Sequence, residues 1–362
     1  MVTIIVVALL IGALLAPGTC LHAEDFYLGS PFNYATLRFE IDNDWVWGED
    51  SHFTNAWSFQ YHTAGYAHWD DTCEPALVKW IGNHFPTLAG ADSMVRNSHG
   101  IGQNMYTPAD LSLAETPDGE LPYAGTLTYS MSWQRFNRRV GRNLQMTVGV
   151  LGKESLAGGL QRATHDVLNE REVPKGWDSQ RHTEPLFNIG YQYMHSLVDL
   201  GTSTDGWGGQ LTIEPSAAVG NLATGVELGL GVRFGWNMSE GFGTLPAPPG
   251  IGFLRAAQIP KSGSTSPQSI EMFLGIRGSA LAYSVIYDGS LITGDDRDVD
   301  REIFTATGIV GVSYHLRPSF SIAAYLQRST DLLKPESLPE NASGLHTNAD
   351  VSYGALMIDL HF

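Results

Sequence analysis

Positive charge is scarce in this chain. Its 21 lysines and arginines stand against 38 aspartates and glutamates, a formal net charge of −17. That balance argues against a nucleic-acid partner. Cysteine is nearly absent. Of Cys20 and Cys73 the first falls in a segment expected to be removed, so no intrachain disulfide is expected. Beyond that segment no apolar run is long enough to cross a bilayer as a helix. Charged residues of either sign make up only 16% of the sequence. The familiar short catalytic signatures are missing too: there is no G-x-S-x-G elbow, no H-E-x-x-H and no phosphate loop.

What is present begins with a leader. Val2 to Leu15 is apolar and uncharged, Pro17-Gly18 follows, and Leu21-His22-Ala23 reads as a small-residue cleavage site. Residues 1–23 are therefore expected to be a secretory signal peptide and 24–362 the mature domain. Lys and Arg are missing ahead of the apolar run, and a lipidated Cys20 is the weaker reading of the same stretch.

The chain is rich in glycine (40 residues) and in aromatics (10%), and its mature part alternates. Ala35, Leu37, Phe39 and Ile41 take one face of a strand, with Thr36, Arg38, Glu40 and Asp42 on the other. Trp57, Phe59 and Tyr61 oppose Ser58, Gln60 and His62. The clearest run sets Val226, Leu228, Leu230, Val232, Phe234 and Trp236 against Glu227, Gly229, Gly231, Arg233 and Gly235. Period-2 amphipathicity of this length exceeds the usual ~5–6-residue strand and approaches the ~9–11 residues of a tilted bilayer crossing. The polar faces mix Gly and Ser with Arg, Glu and Gln, as a barrel interior does. The chain ends in an alternating segment closed by Phe362. An all-β, transmembrane antiparallel β-barrel of about 12 strands is predicted, an even number suiting a closed single-chain barrel. A secreted soluble β domain is the bland alternative. Among the connections, 64–97, 151–181, 238–268 and 329–348 are long and are expected to share the extracellular side.

One long connection is polar and punctuated. Leu160 to Pro185 has helical character over 164–172, a stop at Pro174-Lys175-Gly176, and one histidine, His165, in its first half. Ordered polar insertions on a β scaffold commonly house chemistry. A second cluster lies where strand one ends in Asp42-Asn43-Asp44 and strand two begins near Thr54. Strict alternation puts Asp42, Asp44 and Thr54 on the lumen face and Asn43 outward, unless a bulge turns it. A solvated polar rim is the ordinary reading of such a cluster, and a lone histidine is ordinarily structural. Taken together, a histidine, a rim of carboxylates and no serine or cysteine nucleophile suggest activated water. Carboxylate oxygens suit Ca²⁺. The combination points to a Ca²⁺-assisted ester hydrolase.

These residues, in this order, resemble the LpxR lipid A 3'-O-deacylase family of Gram-negative outer membranes. The resemblance rests on Asp42-Asn43-Asp44 with Phe53-Thr54-Asn55, on 102–108 (GQNMYTP), on Pro122-Tyr123-Ala124-Gly125, on Gln161 with His165, and on 174–180 with Glu184-Pro185. It implies a 12-stranded barrel with its site near the extracellular rim and a lipid A or lipopolysaccharide substrate. His165 would be the base, Asp44 the calcium carboxylate, and Asn43 and Thr54 the remaining site residues. It also implies that Asn43 turns inward on a bulge. Lys153, where the family commonly has proline, and Glu120-Leu121, where it commonly has Asp-Arg, depart from the pattern. Either Glu170 or Glu172 is left open as a supporting carboxylate. A catalytically inactive barrel serving as adhesin or structural protein, or a porin, are the other readings. A monomer is expected.

Overall fold

A computed structural model describes residues 35–44, 52–90, 93–137, 139–168, 174–200, 206–239, 241–242, 245, 268–294, 297–317, 319–334 and 349–362. The expected leader and the open choice between Glu170 and Glu172 lie outside these residues.

Alternation along the sequence becomes a closed barrel. Its strands are β1 (Thr36–Asn43), β2 (His52–His62), β3 (Met94–Thr107), β4 (Ala124–Phe136), β5 (Val140–Leu151), β6 (Glu184–Leu200), β7 (Trp207–Gly220), β8 (Ala223–Trp236), β9 (Ser269–Ser284), β10 (Phe304–Arg317), β11 (Phe320–Asp331) and β12 (Asp350–His361). Every strand pairs antiparallel with its neighbours in sequence, and β12 returns to β1. The twelve-stranded prediction is met. Closure leaves no unpaired sheet edge. Inside the seam, Arg38 donates to both carboxylate oxygens of Asp359 at 2.7 and 2.8 Å. Outside, aliphatic residues stand exposed: Leu228, Leu230 and Val232 on β8, and Met272, Leu274 and Ile276 on β9.

The lumen is filled. Leu245 sits inside it against Gly229, Gly231 and Gly275; a Cβ on Gly275 would come within 2.3 Å of the leucine side chain. Polar contacts hold this inserted segment. Leu245 N–H donates to Glu214 at 3.2 Å, Arg277 donates to the Leu245 carbonyl at 2.8 Å, and Arg233 donates to Ser239 and Glu271. At the other end an apolar cap closes the bore. Phe53, Tyr106 and Tyr353 pack there with Val285 and Ile286 of α3 (Val285–Asp288).

The strand directions correct the expected sidedness. The 151–181 and 329–348 connections lie at one end, here called the far end. The 64–97 and 238–268 connections lie at the opposite end, with the chain's last residues, because β2 and β8 both run toward that end. Loop length did not reveal the side; strand parity does. The 64–97 connection also does not project freely. It lies on the outside of the wall and carries α1 (Ala76–His84). Trp69 and Leu88 pack with the outward residues Val95, Trp133 and Leu144. Trp133 donates its indole N–H to the Val78 carbonyl at 2.9 Å. Below them His99 bridges Glu74 at 2.9 Å and Tyr129 at 2.6 Å. Cys73, in the same connection, is disulfide-bonded, against expectation. That expectation rested on the loss of Cys20 with the leader, and Cys20 lies outside the described residues.

Candidate active site on the outer wall

The polar insertion after β5 folds back on the barrel. Gly152 turns the chain at φ 88°, a left-handed conformation that glycine tolerates. A short 3-10 turn, Lys153–Ser155, leads to α2 (Ala157–Leu168). One face of α2 is buried, at Ala157, Gly158, Gln161 and His165. These positions recur at helical spacing and point together. The other face is exposed. The sequence expected a helix over 164–172; the structured helix begins earlier and carries His165 in its last turn.

The buried face meets the outside of the wall. On β4 the outward position is Gly125, and a Cβ there would lie 2.4 Å from both Ala157 Cβ and Ser155 Oγ. Glycine is therefore what lets the helix approach. Trp57 donates to Gln103 at 2.9 Å, and Gln103 donates to the Ser155 carbonyl at 2.5 Å. This chain of contacts runs from β2 through β3 to the start of α2. Met105 joins Ala157, Leu111, Tyr123 and Trp177 in a small apolar cluster. Trp177 then fixes Gln161, donating to its Oε1 at 2.6 Å. The Gln161 Nε2 is a buried donor with no hydrogen-bond partner among the described residues. The sequence pointed to Gln161 only as a landmark; its i, i+4 relation to His165 was the available signal of a role. Arg297 ties this block across the far end by donating to the Ser179 carbonyl at 2.7 Å.

The second cluster forms where β1 and β2 end. β1 runs without interruption to Asn43, paired with Asn55 and with Gly354. Alternation therefore holds and Asn43 faces outward. The expected bulge exists on the neighbouring strand. Between Phe53 and Asn55 the β2–β3 register shifts by one, and Thr54 is the extra residue. The bulge does not bring Asn43 in; it takes Thr54 out. Thr54 shares a 2.6 Å hydrogen bond with Thr107 on the outward side of β3, and Asn43 Nδ2 donates to the Thr54 carbonyl at 3.0 Å. The expected lumen placement of Thr54 is thus corrected. Asp42 remains on the lumen side, accepting from Tyr325 at 3.1 Å. Asp44 follows β1 and is buried.

Thus Asn43, Thr54 and the buried face of α2 lie on the outward side of one wall, at the far end. His52 adjoins them. It is buried at φ 65° with its Nε2 3.5 Å from Glu120. Among the described residues no three His, Cys, Asp or Glu side chains gather as a metal site. A cation beside Asp44 would draw on neutral oxygens as well. Asn43 has a side-chain carbonyl, and Thr54 adds a hydroxyl. One carboxylate with neutral oxygens is a donor set that Ca²⁺ accepts.

A family model described as outer membrane protein LpxR matches residues 5–345. The chain belongs to the LpxR family. Among solved structures, LpxR from Salmonella typhimurium matches with a TM-score of 0.68 at 14% identity, covering 90% of this chain and all of that one. At that identity the likeness is one of fold. The beta domain of the Bordetella autotransporter BrkA has a TM-score of 0.39 at 7% identity, covering 91% of this chain and 97% of that one. The KdgM porin has a TM-score of 0.35 at 6% identity, covering 90% and 99%. No curated protein matches the sequence. As an LpxR-family barrel the chain is a protein of the Gram-negative outer membrane. The exposed aliphatic residues are the surface such a barrel turns to lipid, and the candidate residues Asn43 and Thr54 lie on that outward side rather than in the bore.

Proposed function

We propose that this LpxR-family chain is a calcium-dependent lipid A deacylase, acting as a monomer and removing a 3'-O-linked acyl chain by hydrolysis with His-activated water. The observation that carries the reading is the placement of Gln161 and His165. Both sit on the buried face of α2, which docks on the outward side of the wall at Gly125 and Met105, the side on which Asn43 and Thr54 also lie. A lipid held in the membrane reaches an outward site without leaving its leaflet. Chain direction supports the far end as the extracellular one, where lipid A resides, since outer-membrane barrels keep their termini in the periplasm.

His165 accepts a proton from water as the oxygen attacks the ester carbonyl. The C–O bond of the ester then breaks. The acid leaves, and the proton passes from the imidazole to the sugar oxygen. Gln161 Nε2, a buried donor, hydrogen-bonds the developing oxyanion. Asp44, Asn43 and Thr54 would hold the cation, which would supply polarisation of the ester carbonyl. Trp177 keeps the Gln161 amide in the orientation that presents its nitrogen. The reading is tested by mass spectrometry of lipid A from cells with and without the protein. Loss of one ester-linked acyl chain is expected. Unaltered lipid A, with the barrel inserted, would favour the inactive structural barrel.

A further inference from the structure

The outer face of α1 is apolar, and no described residue covers it. Leu77 and Trp80 are 68% and 57% exposed. The helix cannot roll to hide them. The Trp69 ring lies directly under Gly82, where a Cβ would come within 2.4 Å of it. Trp69 is itself held by the Leu88 carbonyl at 3.1 Å, and the Trp133 indole holds Val78. Lys79 donates to the Asp70 carbonyl and Asn83 to the Asp70 carboxylate. These contacts keep the polar edge of the helix beside its own loop. Trp80 stacks on His84 at 4.8 Å.

Its neighbours say what lies outside. The aliphatic belt runs to the ends of the strands on the bare part of the wall. Trp207, Trp236 and Ile270 stand in register there and are all exposed. They mark the same end of the barrel as α1. Trp133 and Leu144, which α1 covers, sit a few residues inside the strand ends, so they fall within that belt. Whatever bounds the bare wall at that depth also bounds α1, and around an outer-membrane barrel it is lipid. Tryptophan is enriched at this boundary because its ring is apolar and its N–H polar.

We propose that α1 is an interfacial helix whose Leu77–Trp80 face binds the phospholipid surface of the leaflet at the terminus end. The 64–97 connection thus takes the place of the outward residues Val95, Trp133 and Leu144 as the lipid contact in that sector.

The test places nitroxide labels on Leu77→Cys and Trp80→Cys in the full, unreduced protein in phosphatidylcholine vesicles. Ile276→Cys on the bare wall serves as the lipid reference and Asp118→Cys in a far-end loop as the water reference. Labels at 77 and 80 should collide more with oxygen than with an aqueous nickel chelate, as at 276 and opposite to 118. The nickel preference of 118, or shielding from both reagents by a protein partner, would overturn the proposal. Should the labelled variants fail to insert, wild type and Trp80→Phe are compared by quenching with brominated phosphatidylcholine. Trp80→Phe should lose the quenchable emission of one of the nine tryptophans. An unchanged difference spectrum rejects the contact.

Discussion

Trp177 donates its indole N–H to the Gln161 side-chain oxygen at 2.6 Å, from sixteen residues away in sequence. The bond decides which end of the amide is left over. Replacing Trp177 with phenylalanine keeps the ring against Gly158 but removes the donor. The buried acceptor then costs ~1–3 kcal/mol, and the amide is free to rotate. Deacylation should fall roughly tenfold by that conversion, mostly in kcat, with the heat-modifiable gel shift of the barrel unchanged. Wild-type turnover in Trp177→Phe would show that the amide orientation does not matter.

His165→Ala should lower hydrolysis by ~10²–10⁴-fold, the usual worth of a general base. The barrel should still insert, since His165 lies on an external helix and not in the sheet. Calcium binding should change little, because that ion prefers oxygen ligands. If His165→Ala turns over normally, His52 beside Thr54 becomes the histidine to replace.

Chelation by EDTA should abolish hydrolysis, and added Ca²⁺ should restore it better than Mg²⁺, which demands tighter octahedral geometry. Asp44→Ala should match the chelated enzyme and gain nothing from calcium. Activity that survives EDTA undiminished removes the metal from the reaction.

Gly125→Val is a steric test of the docked helix. A Cβ there meets Ala157 and Ser155 at 2.4 Å, closer than packed atoms come. The barrel should form while α2 lifts from the wall. Acyl release should fall below detection, and proteolysis should begin within 152–183. Ala at the same position should act in the same direction with a smaller loss.

In planar bilayers the wild type should pass no steady current, because Leu245 and its polar tethers cross the bore. Deleting 238–267 should open small, stable conductance steps. Steps of that size in the wild type would support the porin reading.

The barrel was legible because alternation is local: each strand carries its own in–out pattern, and β8 states it almost without exception. Side chains on loops were less legible. Strand parity decides which loops share an end, and parity requires every strand to be found, so the 64–97 connection was assigned to the wrong end. The bulge was expected at Asn43, because the resemblance turned that residue inward; β1 runs unbroken there and the bulge lies at Thr54 on β2. Alternation alone could not say which strand would carry it. Nothing in the sequence near Thr54 announces an extra residue; the shift shows only in the pairing, where Phe53 meets Tyr106 and Asn55 meets Met105. His165 and Gln161 could be paired from their helical spacing. That their helix lies on the outward side of the wall follows from Gly125, a residue of β4.

Because the bore is filled and capped, the wall's two surfaces do separate jobs. The inner surface carries stability, and the outer one carries the chemistry proposed above. A cell can therefore raise the copy number of this protein without raising the permeability of its outer membrane. The limit on abundance is set by how much bilayer perimeter the barrels occupy, not by leakage of nutrients or antibiotics through them.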